Sequence, residues 1–256
     1  MRLQSELKVR VKDKVIGGSD PLICLPLVAR EKPDLLMQAQ ELKQLTPDLL
    51  EWRIDGYGAV EDPGSCLEAL QELQTTVGPI PLIFTCRIHS EGGLKEISQE
   101  VRLKLITATI ASGGIDLVDI ELCNEPSFIE TVKKAAQENG TKLILSYHNF
   151  TDTPDENAIH DKLLQAQDMG ADIAKLAVMP KNYADVLTLL GATLRARTGA
   201  VKVPIVTMSM GPEGGVTRLA GGLFGSDITF AIGKEASAPG QIPIGALRQA
   251  MAVLYG

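Results

Sequence analysis

The chain has 256 residues, 45% hydrophobic and 22% charged, which suits one large α/β domain or two small ones with a core needing no metal or disulfide staple. Its formal net charge of -7 is spread as interspersed acidic and basic residues, which argues against general nucleic-acid or membrane-surface binding. There is no run of about 18 apolar residues for a membrane span.

The first residues, Arg2 to Lys8, are too polar for a secretory segment, and the four cysteines form no CxxC pair. Three of the four sit in apolar, strand-like runs, so reduced thiols and a cytoplasmic location are expected. Leu7–Ile16 alternates like a β-hairpin and is expected to cap one end of the fold. Pro21–Val28 (PLICLPLV) is the first buried-type strand. Asp48–Ile54, Ile80–Arg87, Leu117–Leu122, Lys142–His148, Ile173–Met179, Val203–Met210 and Ile228–Ile232 follow, making eight. Helical periodicity occupies Pro33–Leu45, Ser98–Ser112, Pro126–Glu138, Asp155–Met169 and Asn182–Arg197, with Ile244–Leu254 after the eighth strand.

Near-continuous apolar strands alternating with helices imply parallel strands covered on both faces. Eight such units in about 250 residues predict an α/β fold of the (β/α)8 TIM barrel type, its bottom closed by the N-terminal hairpin. No linker, low-complexity tract or repeat interrupts residues 1–256, so a single domain is expected. A doubly wound open sheet is the alternative; strand count and chain length favour closure.

Functional side chains in such a barrel project from the C-terminal strand ends and the loops after them. Those positions hold Glu51, Arg53 and Asp55; Arg87 and Glu91; Asp119 and Glu121; His148; Lys175; Met208, Met210 and Arg218; and Ser237 to Gln241. Lys175 lies in DIAKLAVM, a buried-type strand with no structural need for a lysine. With an ordinary pKa of about 10.4, a lysine is neutral less than about once in a thousand at pH 7. Desolvation among Ile173, Leu176 and Val178, or a nearby cation, would free the amine to attack a carbonyl. The competing reading is a lysine that snorkels or pairs with an acid across the barrel.

An imine on Lys175 would make the neighbouring carbon acidic, and a base is then needed. His148 ends the adjacent strand, and an imidazole suits proton transfer both ways at neutral pH. Glu91 is placed to hydrogen-bond it and hold its tautomer, or is simply a solvated loop residue. Arg53, Arg87 and Arg218 are placed to converge on an anionic substrate. The competing reading pairs each with a local acid, such as Arg53 with Glu51 or Asp55.

The glycine-rich Gly211–Gly225 fits neither the P-loop nor the dinucleotide fingerprint. It reads as a loop able to move over the site, followed by a helix start. Cys86, His89 and Glu91 make a poor metal set, because alternation points Cys86 away from Arg87. Met208 and Met210 are core residues or walls of an apolar pocket.

Taken in order, EWR at Glu51–Arg53, FTCR at Phe84–Arg87, EGG at Glu91–Gly93, SYHNF at Ser146–Phe150 and AKLAVMP at Ala174–Pro180 resemble type I 3-dehydroquinate dehydratases. TMSMG at Thr207–Gly211, RLAG at Arg218–Gly221, FGS at Phe224–Ser226 and SAPGQ at Ser237–Gln241 extend the match over almost the whole chain. The resemblance implies a (β/α)8 barrel, a homodimer, and dehydration of 3-dehydroquinate to 3-dehydroshikimate in the shikimate pathway, with no metal or organic cofactor. It implies Lys175 as imine-forming lysine, His148 as general acid/base, Glu91 as its orienting partner and Arg218 as carboxylate clamp. Glu51, Arg53, Arg87, Ser237 and Gln241 match positions that bind hydroxyls and neighbouring polar groups, and Met208, Met210 and Phe230 match apolar walls. Cys86, Tyr147 and Asn149 depart from FTFR and SNHDF, and Pro26 stands where some members carry a serine contact. Loss of the acid beside His148 is expected to alter that histidine's pKa.

Two other readings compete. A class I aldolase acting on a sugar phosphate would want glycine-rich phosphate turns after the last two strands, whereas SAPGQ offers a hydroxyl and an amide. A catalytically silent binding barrel would have no reason to keep both Lys175 and His148.

Overall fold

A computed structural model describes residues 2–233 and 238–256. Val9–Val11 (β1) and Lys14–Ile16 (β2) form an antiparallel hairpin. The eight expected strands follow as β3 (Leu22–Leu27), β4 (Leu49–Arg53), β5 (Leu82–Thr85), β6 (Leu117–Glu121), β7 (Lys142–Asn149), β8 (Ile173–Val178), β9 (Ile205–Ser209) and β10 (Ile228–Phe230). They pair in parallel, each with its chain neighbours, and β10 returns to β3. The β9–β10 seam closes through few contacts. Asp227 N donates to Ile205 O at 2.7 Å, and Ile205 N donates to the Asp227 carboxylate at 2.8 Å. Arg2 and Arg197 hold that carboxylate from below.

The helices are α1 (Lys32–Gln44), α2 (Pro63–Val77), α3 (Gln99–Ala111), α4 (Pro126–Asn139), α5 (Glu156–Asp168), α6 (Tyr183–Thr198), α7 (Gly215–Phe224) and α8 (Ile244–Tyr255). Ser98, Asp155 and Asn182 cap α3, α5 and α6 by accepting free amide hydrogens of the first turn. α2 is absent from the sequence-predicted set, although Asp62 caps it and Pro63 opens it. The Gly211–Gly225 segment is mostly helix: only a short turn precedes α7. Its glycines serve packing, since a Cβ at Gly222 would stand 2.7 Å from the Tyr255 hydroxyl and 2.9 Å from Pro21.

Alternation along the strands divides the apolar residues into two sets. One set faces the helices, and the other fills the barrel. Leu22, Cys24, Leu49, Ile83, Leu117, Ile144, Ile173, Val206 and Ile228 pack the lower interior, with Val9, Val11 and Ile16 of the hairpin in the same cluster beneath them. Two residues further up, the inward positions change to Glu51, Thr85, Asp119, Ser146 and Lys175, all buried. Burial at that level is tolerable only if the charges compensate one another.

Candidate active site

Above the apolar layers lies a cavity with about 470 Å³ of empty space, partly open to solvent. Lys175, His148, Glu91, Glu51, Arg53, Arg87, Met208, Met210, Phe230 and Gln241 line it, as the sequence led us to expect, with Gly92, Phe150, Ala177 and Ala238 between them. Arg218 stands one layer behind the wall, and Ser237 lies outside the described residues. Phe150 reaches the cavity by lying across Gly92, whose φ is +85° and whose Cβ, if present, would meet the ring at 2.4 Å.

Lys175 combines both readings allowed by its sequence. Its Nζ is buried at the cavity floor, and it donates to Asp119 Oδ2 at 2.7 Å with Glu51 Oε1 at 3.5 Å. The Phe230 ring centre is 4.5 Å away. The expected apolar shell needs correction: Leu176 and Val178 face the helices, and only Ile173 and Ala177 share the lysine's face. Asp119 came into view as a strand-end residue without a role. Burial alone would raise its carboxyl, yet the charges of Arg87 and Lys175 hold it well below the usual carboxylate range.

His148 is fixed twice by one oxygen. Glu91 Oε2 accepts its backbone N–H at 2.8 Å and lies 3.0 Å from Nδ1. Burial, then the cations Arg87 and Lys175, pushes the imidazole well below its ordinary pKa, so it is a neutral base at neutral pH. With Nδ1–H directed at Glu91, Nε2 keeps its lone pair for a substrate proton. Glu91 itself is pushed up from 4.5 to about 7 by burial, against the opposing pull of Cys123 and Arg87.

The three arginines are held in different ways. Arg53 forms a bidentate pair with Asp55, at 2.9 and 2.8 Å, and donates to Gly92 O at 3.0 Å. Arg87 bonds Glu121 Oε1 at 2.8 Å, Asp119 Oδ1 at 3.0 Å and the Ser146 hydroxyl at 2.8 Å. Internal acids hold both, as in the competing reading, while both arginines also line the cavity. Arg218 differs. Though only 2% exposed, it touches no carboxylate among the described residues. It donates to the backbone oxygens of Phe230 at 3.2 Å and Pro239 at 3.0 Å, and its Nε has no partner among the described residues. Burial brings its pKa down to about 10. A buried cation in that condition attracts an anion.

The departures in sequence mostly point away from the chemistry. Cys86 belongs to the outer core cluster, and Tyr147 packs against that cluster with the Lys162 ammonium 4.2 Å from its ring centre. Asn149 organises the turn after β7 by accepting from Thr151 N at 2.9 Å and donating to Asp152 at 2.6 Å. The low pKa of His148 has burial and its cationic neighbours as causes. Pro26 lies beside Glu51 in the β3–β4 register. Among the described residues, no group of three or more His, Cys, Asp or Glu side chains could hold a metal ion.

An amine and a neutral imidazole on adjacent strands of a (β/α)8 barrel suit capture of a ketone followed by proton removal beside it, which defines the class of Schiff-base barrel enzymes. Residues 23–256 match the family model of type I 3-dehydroquinase, and the chain belongs to that family. It is 43% identical over 247 residues to the 3-dehydroquinate dehydratase of Geobacillus thermodenitrificans, covering 96% of this chain and 95% of that one. The crystal structure of 3-dehydroquinate dehydratase from Geobacillus kaustophilus superimposes with a TM-score of 0.96 at 42% identity, covering 99% of this chain and 98% of that one. A type I 3-dehydroquinate dehydratase from Clostridium difficile, solved with covalently modified comenic acid, gives a TM-score of 0.94 at 40% identity, with coverages of 97% and 98%.

Proposed function

We propose that this chain converts 3-dehydroquinate to 3-dehydroshikimate and water through an imine on Lys175, with His148 moving the protons. The observation that carries the reading is the buried Lys175 nitrogen sharing one cavity with a neutral His148. The Lys175 amine attacks the ring ketone, and the carbinolamine loses water to give a protonated imine. Nε2 of His148 then takes a proton from the adjacent carbon, whose electron pair enters an enamine. The β-hydroxyl departs as water with the proton returned by His148, and water releases the conjugated ketone from Lys175. One water is lost in forming the imine, one is regained in its hydrolysis, and the elimination yields the net product water.

The nitrogen carries positive charge as ammonium and again as iminium. Asp119, 2.7 Å from it, can therefore serve both states without reorganisation. Arg218 is the clamp for the substrate carboxylate, reached when Pro239 O yields its bond. Glu51, Arg53, Arg87, Ser237 and Gln241 meet hydroxyls and neighbouring polar groups, while Met208, Met210 and Phe230 wall the apolar ring face. The same reading makes the chain a single-domain cytoplasmic homodimer serving aromatic amino acid synthesis. Among the described residues, no helix is long and apolar enough to cross a membrane. Light scattering of the wild-type chain tests the homodimer by its mass in solution.

The direct test follows the absorbance of the conjugated enone formed from 3-dehydroquinate. Wild type is expected to generate it, and Lys175→Ala to lose about four to six orders of magnitude in kcat. A wild-type chain that leaves the substrate unchanged would refute the reading.

A further inference from the structure

A run of alternating charges leads from the amine through the barrel wall to a helix on the outside. Lys175 meets Asp119 at 2.7 Å, and Asp119 meets Arg87 at 3.0 Å. Arg87 meets Glu121 at 2.8 Å, and the other oxygen of Glu121 meets Arg102 Nη2 at 2.5 Å. Arg102 belongs to α3 and does not line the cavity, yet it is only 2% exposed. It is also fully engaged: Nε donates to Cys86 O at 3.1 Å, Nη1 donates to Asn124 Oδ1 at 2.9 Å, and the guanidinium carbon lies 5.3 Å from the Phe128 ring centre. A purely structural role would not require this cation to face Glu121, one of the two carboxylates that hold Arg87.

We propose that Arg102 is a positioning residue for the reacting amine, acting through Glu121, Arg87 and Asp119. Two acids, Asp119 and Glu121, divide the Arg87 guanidinium between them, and each also has a second cation. With Arg102 in place, Glu121 is satisfied from outside and Arg87 can neutralise Asp119. Without it, Glu121 draws on Arg87 alone, and Asp119 is left to hold the Lys175 nitrogen more tightly. The bare Coulomb effect has the same sign, because removing a positive charge favours the protonated amine. The charged and titratable groups facing that amine are Glu51 from β4, Arg87 beyond β5, Asp119 from β6 and His148 from β7, with the Cys24 thiol on β3 sensing its charge. The proposal rests on imine formation at Lys175.

The test measures cyanoborohydride trapping of the substrate adduct at Lys175 against pH, with peptide mapping. In Arg102→Met the trapping midpoint is expected to move up by about half a pH unit or more, with kcat at neutral pH lowered and KM changed less. Arg102→Lys keeps the charge and should restore the wild-type midpoint even if melting temperature stays depressed. Asn124→Asp, at a half-buried surface position, places a new carboxylate against Arg102 and Glu121 and should move the midpoint up by less. It decides the matter if Arg102→Met is insoluble. Unshifted midpoints in folded variants, with normal trapping at Lys175, would overturn the role of Arg102 and leave the proposed function intact. Absence of trapping at Lys175 in wild type would instead refute the function itself.

Discussion

The half of the barrel mouth built by β4 to β8 and the half built by β9, β10 and α7 bury charge in opposite ways. In the first, Arg53 answers Asp55, Arg87 answers Asp119 and Glu121, and Lys175 answers Asp119 and Glu51. In the second, Met208, Met210 and Phe230 form an apolar wall, and Arg218 waits behind it with carbonyl oxygens for company. A compensated set is fixed machinery, because removing one member leaves a partner exposed to the full cost of burial. A cation with no carboxylate partner among the described residues is placed as a receptor: the ligand completes it.

The contrast can be broken most sharply at His148, the base of the compensated half. His148→Ala should still form the imine but turn over about 10²–10⁴-fold more slowly, read by single-turnover kinetics. Full activity in that variant would remove His148 from the mechanism. Next come the two buried arginines. Arg87→Met strands Asp119 and Glu121 and should lower unfolding stability by about 3–5 kcal/mol in denaturant titration. Arg218→Met strands no carboxylate among the described residues, only the backbone oxygens of Phe230 and Pro239, so it should cost less stability than Arg87→Met while KM rises about 10–100-fold. Similar stability losses in the two variants would erase the distinction between the halves.

A smaller effect concerns Glu91. Its value of about 7 means that the carboxylate able to hold His148 Nδ1–H forms only as pH passes neutrality, so kcat should rise through an acid limb near pH 7. In Glu91→Gln that limb should disappear or move. Stability obeys the opposite slope for this group. Because Glu91 is raised above its ordinary 4.5, its contribution is fully present in acid and falls as pH climbs from about 4.5 to about 7. His148, lowered below 6.5, destabilises the fold as pH drops beneath that value.

The strands were legible because parallel barrel strands, covered on both faces, read as short apolar runs. The hairpin was legible by its alternation. α7 was legible only as a helix start, since the packing against Tyr255 and Pro21 that keeps its glycines is a tertiary fact. In the site, Lys175, His148 and Glu91 stood out as polar residues at strand ends or just beyond, and they do share one cavity. The partner of Lys175 was harder to see. Asp119 lies on β6 with β7 between, so the contact depends on curvature and side-chain reach rather than on neighbouring strands. Period-two reasoning applied inward could have found it, because Asp119, Ser146 and Lys175 all sit two residues above an interior apolar residue. The same rule would have placed Leu176 and Val178 outside. That Arg218 meets no carboxylate among the described residues had no signal in the chain, since nothing local shows which acids the fold will bring near.

The central claim is that the nitrogen of Lys175 bonds covalently to the substrate ketone. Reductive trapping with borohydride in the presence of 3-dehydroquinate, followed by peptide mass mapping, measures this directly. A single adduct on the peptide carrying Lys175, in wild type and in His148→Ala alike, is the predicted result. Turnover with Lys175 unmodified, or an adduct on another lysine, would contradict it.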